Sequence, residues 1–177
     1  MNRRLAEGFS ADVNPAHRTP VRAVVALGAN LGDRAATLDA ALAALGQLPL
    51  VDEVRASAAV ESVAVKPDGL DAEAPAYLNA VAIVTTRLAP SLLLAFLQAI
   101  ETRHGRERRE RWGDRTLDLD LIAYGDVVSS DAVLTLPHPR AAERDFVLAP
   151  WLSIDPDAEL PGIGRVDVLL DRLKDAS

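Results

Sequence analysis

Two aspartates, Asp118 and Asp120, sit one residue apart in the run Thr116-Leu117-Asp118-Leu119-Asp120-Leu121-Ile122-Ala123. Leu117, Leu119, Leu121 and Ala123 alternate with Thr116, Asp118, Asp120 and Ile122. That is a strand period, which sends successive side chains to opposite faces. The leucines are expected to face a core. The carboxylates then share the other face, roughly 6–7 Å apart at a rise of ~3.3 Å per residue. Like charges this close repel on a half-buried face, and a cation beside them removes that cost. Carboxylate pairs of this kind hold Mg²⁺, with substrate phosphates completing the shell. The segment just before is dense in arginine, with six between Arg103 and Arg115. Guanidinium groups suit phosphate oxygens through planar, two-pronged hydrogen bonding. Together these residues read as a polyphosphate site. They are also satisfied by a solvated strand face beside a charged loop.

Composition narrows the classes. At 177 residues, one domain with a real core is expected. Hydrophobic residues make up 49 %, so the chain is not a disordered one. Aromatics are only 4 %, which leaves the packing to alanine, leucine and valine. With no cysteine, disulfides and thiolate metal sites are excluded. No stretch approaches the ~20 apolar residues that cross a bilayer, and residues 1–20 lack the apolar centre of a signal peptide. A cytoplasmic protein without membrane contact is the expectation. The net charge of −7 argues against a general nucleic-acid binder. Lysine occurs only at Lys66 and Lys174, so the arginine-rich segment marks a local anion site rather than a long basic surface.

The elements that position these residues follow from periodicity. Residues 1–20 carry Asn14-Pro15 and Thr19-Pro20 without an apolar period, and read as a loose extension. Residues 21–27 form an apolar strand ending in Gly28-Ala29-Asn30-Leu31-Gly32-Asp33, whose glycines permit a sharp turn. Asp33 or Asn30 then caps a helix carrying Leu38, Leu42 and Leu45 and ending near Gly46. Residues 51–63 read as a second strand with imperfect alternation, 66–75 as a polar loop, and 77–86 as a third strand. On that strand Tyr77, Asn79, Val81 and Ile83 share a face. An aromatic ring two residues from an amide can hold a flat heterocycle, or simply end a strand. Residues 90–103 form a helix with Leu93, Leu97 and Ile100 as its stripe. Gln98 and Glu101 lie on a neighbouring face, which a solvated surface also explains. Gly105 is expected to end this helix, and Trp112 is the large apolar residue of the loop that follows.

Beyond the aspartates, Val127-Val128 and Leu134-Thr135-Leu136 suggest a short hairpin. Prolines on both sides of His138 restrict the backbone and aim its ring. Residues 144–152 read as a short helix, 156–164 as a loop and 166–173 as a terminal helix. The order β, α, β, β, α, β suggests a single α+β domain of ferredoxin-like type, an antiparallel sheet with helices on one face.

Several blocks occur in a fixed order. They are Ala26-Leu27-Gly28-Ala29-Asn30-Leu31-Gly32-Asp33, Tyr77-Leu78-Asn79-Ala80, Gln98 to Glu101, Arg111-Trp112-Gly113-Asp114-Arg115-Thr116-Leu117-Asp118-Leu119-Asp120, and Pro137-His138-Pro139-Arg140 with Arg144 and Phe146. In that order they resemble the 6-hydroxymethyl-7,8-dihydropterin pyrophosphokinase family of folate biosynthesis, over about residues 21–160. The resemblance implies a ferredoxin-like domain over residues 21–177, acting as a monomer. Its implied reaction moves pyrophosphate from ATP to the pterin hydroxymethyl group and leaves AMP. It implies that Asp118 and Asp120 bind two Mg²⁺ ions, and that Tyr77 and Phe146 sandwich the pterin while Asn79 reads its edge. Gln98, Glu101, Arg106, Arg108, Arg115, His138 and Arg144 correspond to ATP and phosphate contacts, with Arg106 and Arg115 catalytic. Arg111 and Trp112 fall in a lid loop over ATP. Residues 60–65 and Asp114 depart from the family pattern. Two other classes fit the residues in part: an ADP-forming or inactive nucleotide binder, and an RNA-binding module of ferredoxin-like shape.

Overall fold

The computed structural model describes residues 18–62, 64–66, 69–71, 76–104 and 116–176. Nearly all of the extension expected over residues 1–20 lies outside them, as does Gly105. In chain order the elements are β1 (Val21–Ala29), α1 (Arg34–Gly46), β2 (Val51–Ala56), β3 (Val60–Ser62), β4 (Ala64–Lys66), β5 (Gly69–Asp71), β6 (Tyr77–Thr86), α2 (Pro90–Arg103), β7 (Asp118–Tyr124), β8 (Ser129–Ser130), β9 (Thr135–Leu136), α3 (Asp145–Ile154), β10 (Glu159–Leu160), β11 (Gly164–Arg165) and α4 (Val166–Asp175).

The main sheet has the order β2-β6-β1-β7, with β3 also on β6. Every pairing is antiparallel, which is the expected β-α-β-β-α-β sheet. The predicted second strand is broken in two. β2 pairs with Ala82 to Thr86 and β3 with Tyr77 to Asn79. Between them Ser57 keeps the edge of β6 bonded: its N–H donates to Val81 O at 2.9 Å, and its Oγ accepts from Val81 N at 3.0 Å. Where a loop was expected over 66–75, β4 and β5 pair antiparallel, Lys66 opposite Gly69 and Ala64 opposite Asp71. The hairpin after β7 pairs Ser129 and Ser130 with Leu136 and Thr135, slightly later than Val127-Val128 suggested. The predicted loop 156–164 carries the short β10–β11 pair.

Helices cover both faces of the sheet, not one as the element order suggested. On one face Ala23, Val25, Leu27, Ala82, Val84, Leu119 and Leu121 pack with Leu38 and Leu45 of α1 and Leu93, Leu97 and Ile100 of α2. On the other, Val24, Val81, Ile83 and Ile122 pack with Val147, Leu148 and Trp151 of α3 and Leu169 and Leu170 of α4. Burial on both faces explains why β1 and β6 are continuously apolar rather than alternating. β7 departs from strict alternation through a β-bulge. Val24 opposes Ala123 and Val25 opposes Leu121, which leaves Ile122 as the extra residue. The bulge puts Ile122 and Ala123 together on the α3 side, so Ala123 does not join the leucines. A bulge adds one residue to a strand and resets which face follows.

Candidate active site

One end of the sheet gathers the predicted chemistry onto the face that carries α3. Gly28 of β1 stands opposite Asn79 on β6 and opposite Asp118 on β7. Ala26 stands opposite Val81 and Asp120. Directly opposed residues project to the same side of a sheet. Tyr77 and Asn79 therefore form one bank of a trough, Asp118 and Asp120 the other, and the small residues Gly28 and Ala26 its floor. At two strand spacings the banks are about 10 Å apart.

Gly28 is needed for room. It lies inside β1, and a Cβ there would sit 3.2 Å from Asn79 Oδ1 and 3.7 Å from the Tyr77 ring. Gly32, at φ +64°, is the glycine that the turn requires. Asp33 then caps α1 by accepting from Ala36 N at 3.0 Å. The Asn79 side chain is only 6 % exposed and donates through Nδ2 to Ser62 Oγ at 2.8 Å. Its second N–H and its oxygen retain bonding capacity. Ser62 was not singled out in the sequence, although it falls in the 60–65 stretch that departs from the family pattern. Gly28 was read there only as part of a turn.

The other bank is held by charge. Arg144, immediately before α3, donates from Nη1 to Asp120 Oδ2 at 2.9 Å. Its guanidinium carbon lies 5.8 Å from the centre of the Phe146 ring, at the start of α3. One arginine thus joins the carboxylate bank to the aromatic residue predicted to hold a ring. His138 is fixed by its backbone, which donates to Ile122 O at 2.8 Å. Its Nδ1 accepts from Arg140 N at 3.2 Å, which leaves the proton of the neutral ring on Nε2, 3.9 Å from Asp120 Oδ2. Burial pushes the His138 pKa below its usual value; Asp120 opposes that shift and Arg144 adds to it.

The structure thus brings together Tyr77, Asn79, Asp118, Asp120, His138, Arg144 and Phe146. The two α2 residues lie on the helix that packs against the other face of the sheet. Gln98 is exposed on α2, the layer behind the opposite face. Glu101 is not on a solvated face; it is 2 % exposed, and its Oε1 accepts from Leu119 N of β7 at 2.9 Å. In this position it serves the edge of the strand carrying the aspartates. Arg106, Arg108, Arg111, Trp112 and Arg115 lie outside the described residues.

The carboxylate oxygens of Asp118 and Asp120 are the donor type that Mg²⁺ takes. Among the described residues no group of three or more His, Asp or Glu is arranged to hold a metal ion. The pair therefore offers a partial shell, of the kind that phosphate oxygens complete.

Residues 24–156 match the family model described as 7,8-dihydro-6-hydroxymethylpterin-pyrophosphokinase (HPPK). The chain is 39 % identical over 155 residues to the 2-amino-4-hydroxy-6-hydroxymethyldihydropteridine pyrophosphokinase of Haemophilus influenzae, covering 88 % of this chain and 94 % of that protein. It is 41 % identical over 148 residues to the protein of the same name from Synechocystis, covering 84 % of this chain and 73 % of that one. Among solved structures, a crystal structure of HPPK-DHPS in complex with substrates superposes with a TM-score of 0.64 at 11 % identity, over 89 % of this chain. That from Plasmodium falciparum with pteroate gives 0.67 at 11 %, over 87 %. This chain spans 44 % of each of those longer chains, and the likeness is one of fold. On the match across most of its length, the chain belongs to the 7,8-dihydro-6-hydroxymethylpterin-pyrophosphokinase family and is a pyrophosphokinase.

Proposed function

We propose that the chain transfers the pyrophosphoryl group of ATP to the hydroxymethyl oxygen of 6-hydroxymethyl-7,8-dihydropterin, giving AMP and the pterin diphosphate in folate biosynthesis. The observation that carries this reading is the trough itself: Tyr77 and Asn79 on one bank, Asp118 and Asp120 on the other, across Gly28 and Ala26. Its banks match the two ends of such a reaction, a flat acceptor and a polyphosphate.

Transfer of this kind needs mainly positioning and charge neutralisation. Tyr77 and Phe146 hold the ring by stacking, and Asn79, steadied by Ser62, bonds its edge. Asp118 and Asp120 would hold two Mg²⁺ ions. When bound, Mg²⁺ supplies charge neutralisation across the phosphates and eases deprotonation of the attacking hydroxyl. Arg144 keeps Asp120 oriented and has further N–H groups for phosphate oxygens. His138, held neutral by burial, presents its Nε2–H beside Asp120 as a phosphate donor. By resemblance, Gln98, Glu101, Arg106, Arg108 and Arg115 complete the nucleotide contacts, and Arg111 and Trp112 belong to a lid that keeps water from the phosphates. The protein works in the cytoplasm as a monomer.

The test is a product assay with ATP, Mg²⁺ and 6-hydroxymethyl-7,8-dihydropterin, resolving nucleotides and pterins by ion exchange. Stoichiometric AMP and pterin diphosphate are expected, with none from Asp120→Ala and none after chelation of the metal. ADP as product would move the attack to the γ-phosphorus and overturn the reading.

A further inference from the structure

Arg34 is the first residue of α1, directly after the turn that leaves β1. Its guanidinium reaches in two directions. Nη1 donates to Ala76 O at 2.6 Å, and Nη2 to Glu61 Oε1 at 2.9 Å. These two partners flank the acceptor bank. Ala76 immediately precedes Tyr77, and Glu61 immediately precedes Ser62, the residue that receives the Asn79 amide. Ser62 and Tyr77 are themselves in register. The chain leaves the sheet after Ser62 and returns at Tyr77, so one planar fork ties both ends of that excursion to the start of α1.

We propose that Arg34 is a positioning residue for the acceptor, setting the spacing of Tyr77, Asn79 and Ser62 without touching the substrate. The inference rests on the reaction proposed above. The two arms are not equal. The Glu61 side chain is 65 % exposed, and an ion pair that open to water contributes little. The bond to the Ala76 carbonyl is part-buried and charge-assisted, and so dominates. Arg34 lies on the Tyr77 side of the trough, so its loss acts on the flat acceptor rather than on the polyphosphate. Lysine replaces it only in part, because its ammonium is a strongly hydrated point charge on a flexible stem and is not held toward the Ala76 carbonyl as a planar guanidinium is.

The test is steady-state kinetics with each substrate varied in turn, for the wild type, Arg34→Gln and Arg34→Lys, alongside melting curves. Arg34→Gln is expected to raise KM for the pterin roughly tenfold while KM for ATP stays within about twofold. Arg34→Lys should recover only part of the loss, and it carries the test alone if the glutamine variant does not fold. Amide hydrogen exchange at residues 77–79 should quicken in either variant, with α2 unchanged. An unaltered pterin KM, equal rises in both KM values, or full recovery by lysine overturns the proposal. A wild-type protein that makes no AMP overturns the reaction, and this role with it. Active wild type with an indifferent Arg34→Gln overturns this role alone.

Discussion

Gly28 shows how little chemistry a residue needs in order to control a site. It contributes no functional group, yet Asn79 Oδ1 and the Tyr77 ring occupy the space a side chain would take. Asn79 is buried and bonded to Ser62, so it cannot swing away without breaking that bond. Gly28→Ala is therefore expected to displace the amide by a few tenths of an ångström and to raise KM for the pterin. A threefold to tenfold rise, about 0.7–1.4 kcal/mol, is the expected size, with KM for ATP nearly unchanged. Steady-state kinetics measure both values; an equal effect on the two substrates would show that Gly28 serves the fold rather than the acceptor bank. The sequence placed Gly28 in a turn because glycine next to Asn30 and Gly32 is a turn signal. What it could not show was that β1 runs on through Ala29, which makes the missing Cβ a matter of cross-strand space.

At the scale of elements, β7 depends on α2. Leu119 lies between Asp118 and Asp120, and its N–H, on the strand edge away from β1, is received by Glu101. A buried amide without a partner costs about 1–3 kcal/mol. Glu101→Leu should therefore lower Tm by several degrees, at about 2–4 °C per kcal/mol for a chain of this size. It should also depress turnover by loosening both aspartates. Glu101→Gln retains an acceptor oxygen and should recover most of the stability. Melting curves, kcat and KM for ATP together decide the matter; stability unchanged in Glu101→Leu with a raised KM for ATP would assign Glu101 to the nucleotide rather than to the strand edge. Periodicity alone located β6 at Tyr77–Thr86 and α2 at Pro90–Arg103, because both are long and their apolar spacing is uninterrupted. It also put Asp118 and Asp120 on one face. It did not show that Glu101 is buried: a glutamate three residues after an exposed glutamine reads as solvent-facing until the neighbouring strand edge is known. The bulge at Ile122 and the Ser57 bridge were hidden for the same reason, since each answers to a hydrogen-bond partner distant in sequence.

At the scale of the whole molecule, charge and layering bear on the RNA-binding alternative. Single-stranded RNA is recognised on ferredoxin-like sheets by aromatic residues presented on an open face. Here α1 and α2 cover one face and α3 and α4 pack on the other. Aromatic side chains are only 4 % of the chain. The long-range field is unfavourable as well, with 26 acidic residues against 19 Lys and Arg. The six arginines between Arg103 and Arg115 are a local exception, and at ~0.1 M salt their influence fades over about 10 Å. So short a run in the sequence suits the compact charge of a triphosphate more than an extended backbone, where affinity grows with each phosphate neutralised. Labelled single-stranded RNA is therefore expected to bind no tighter than about 10⁻⁴ M at physiological salt, the weak end of non-specific association. Excess RNA should leave AMP formation unchanged. Fluorescence anisotropy at two salt concentrations, with the product assay run in parallel, tests both expectations. Micromolar binding with a steep salt dependence and loss of turnover would mean that the arginine segment serves a polynucleotide.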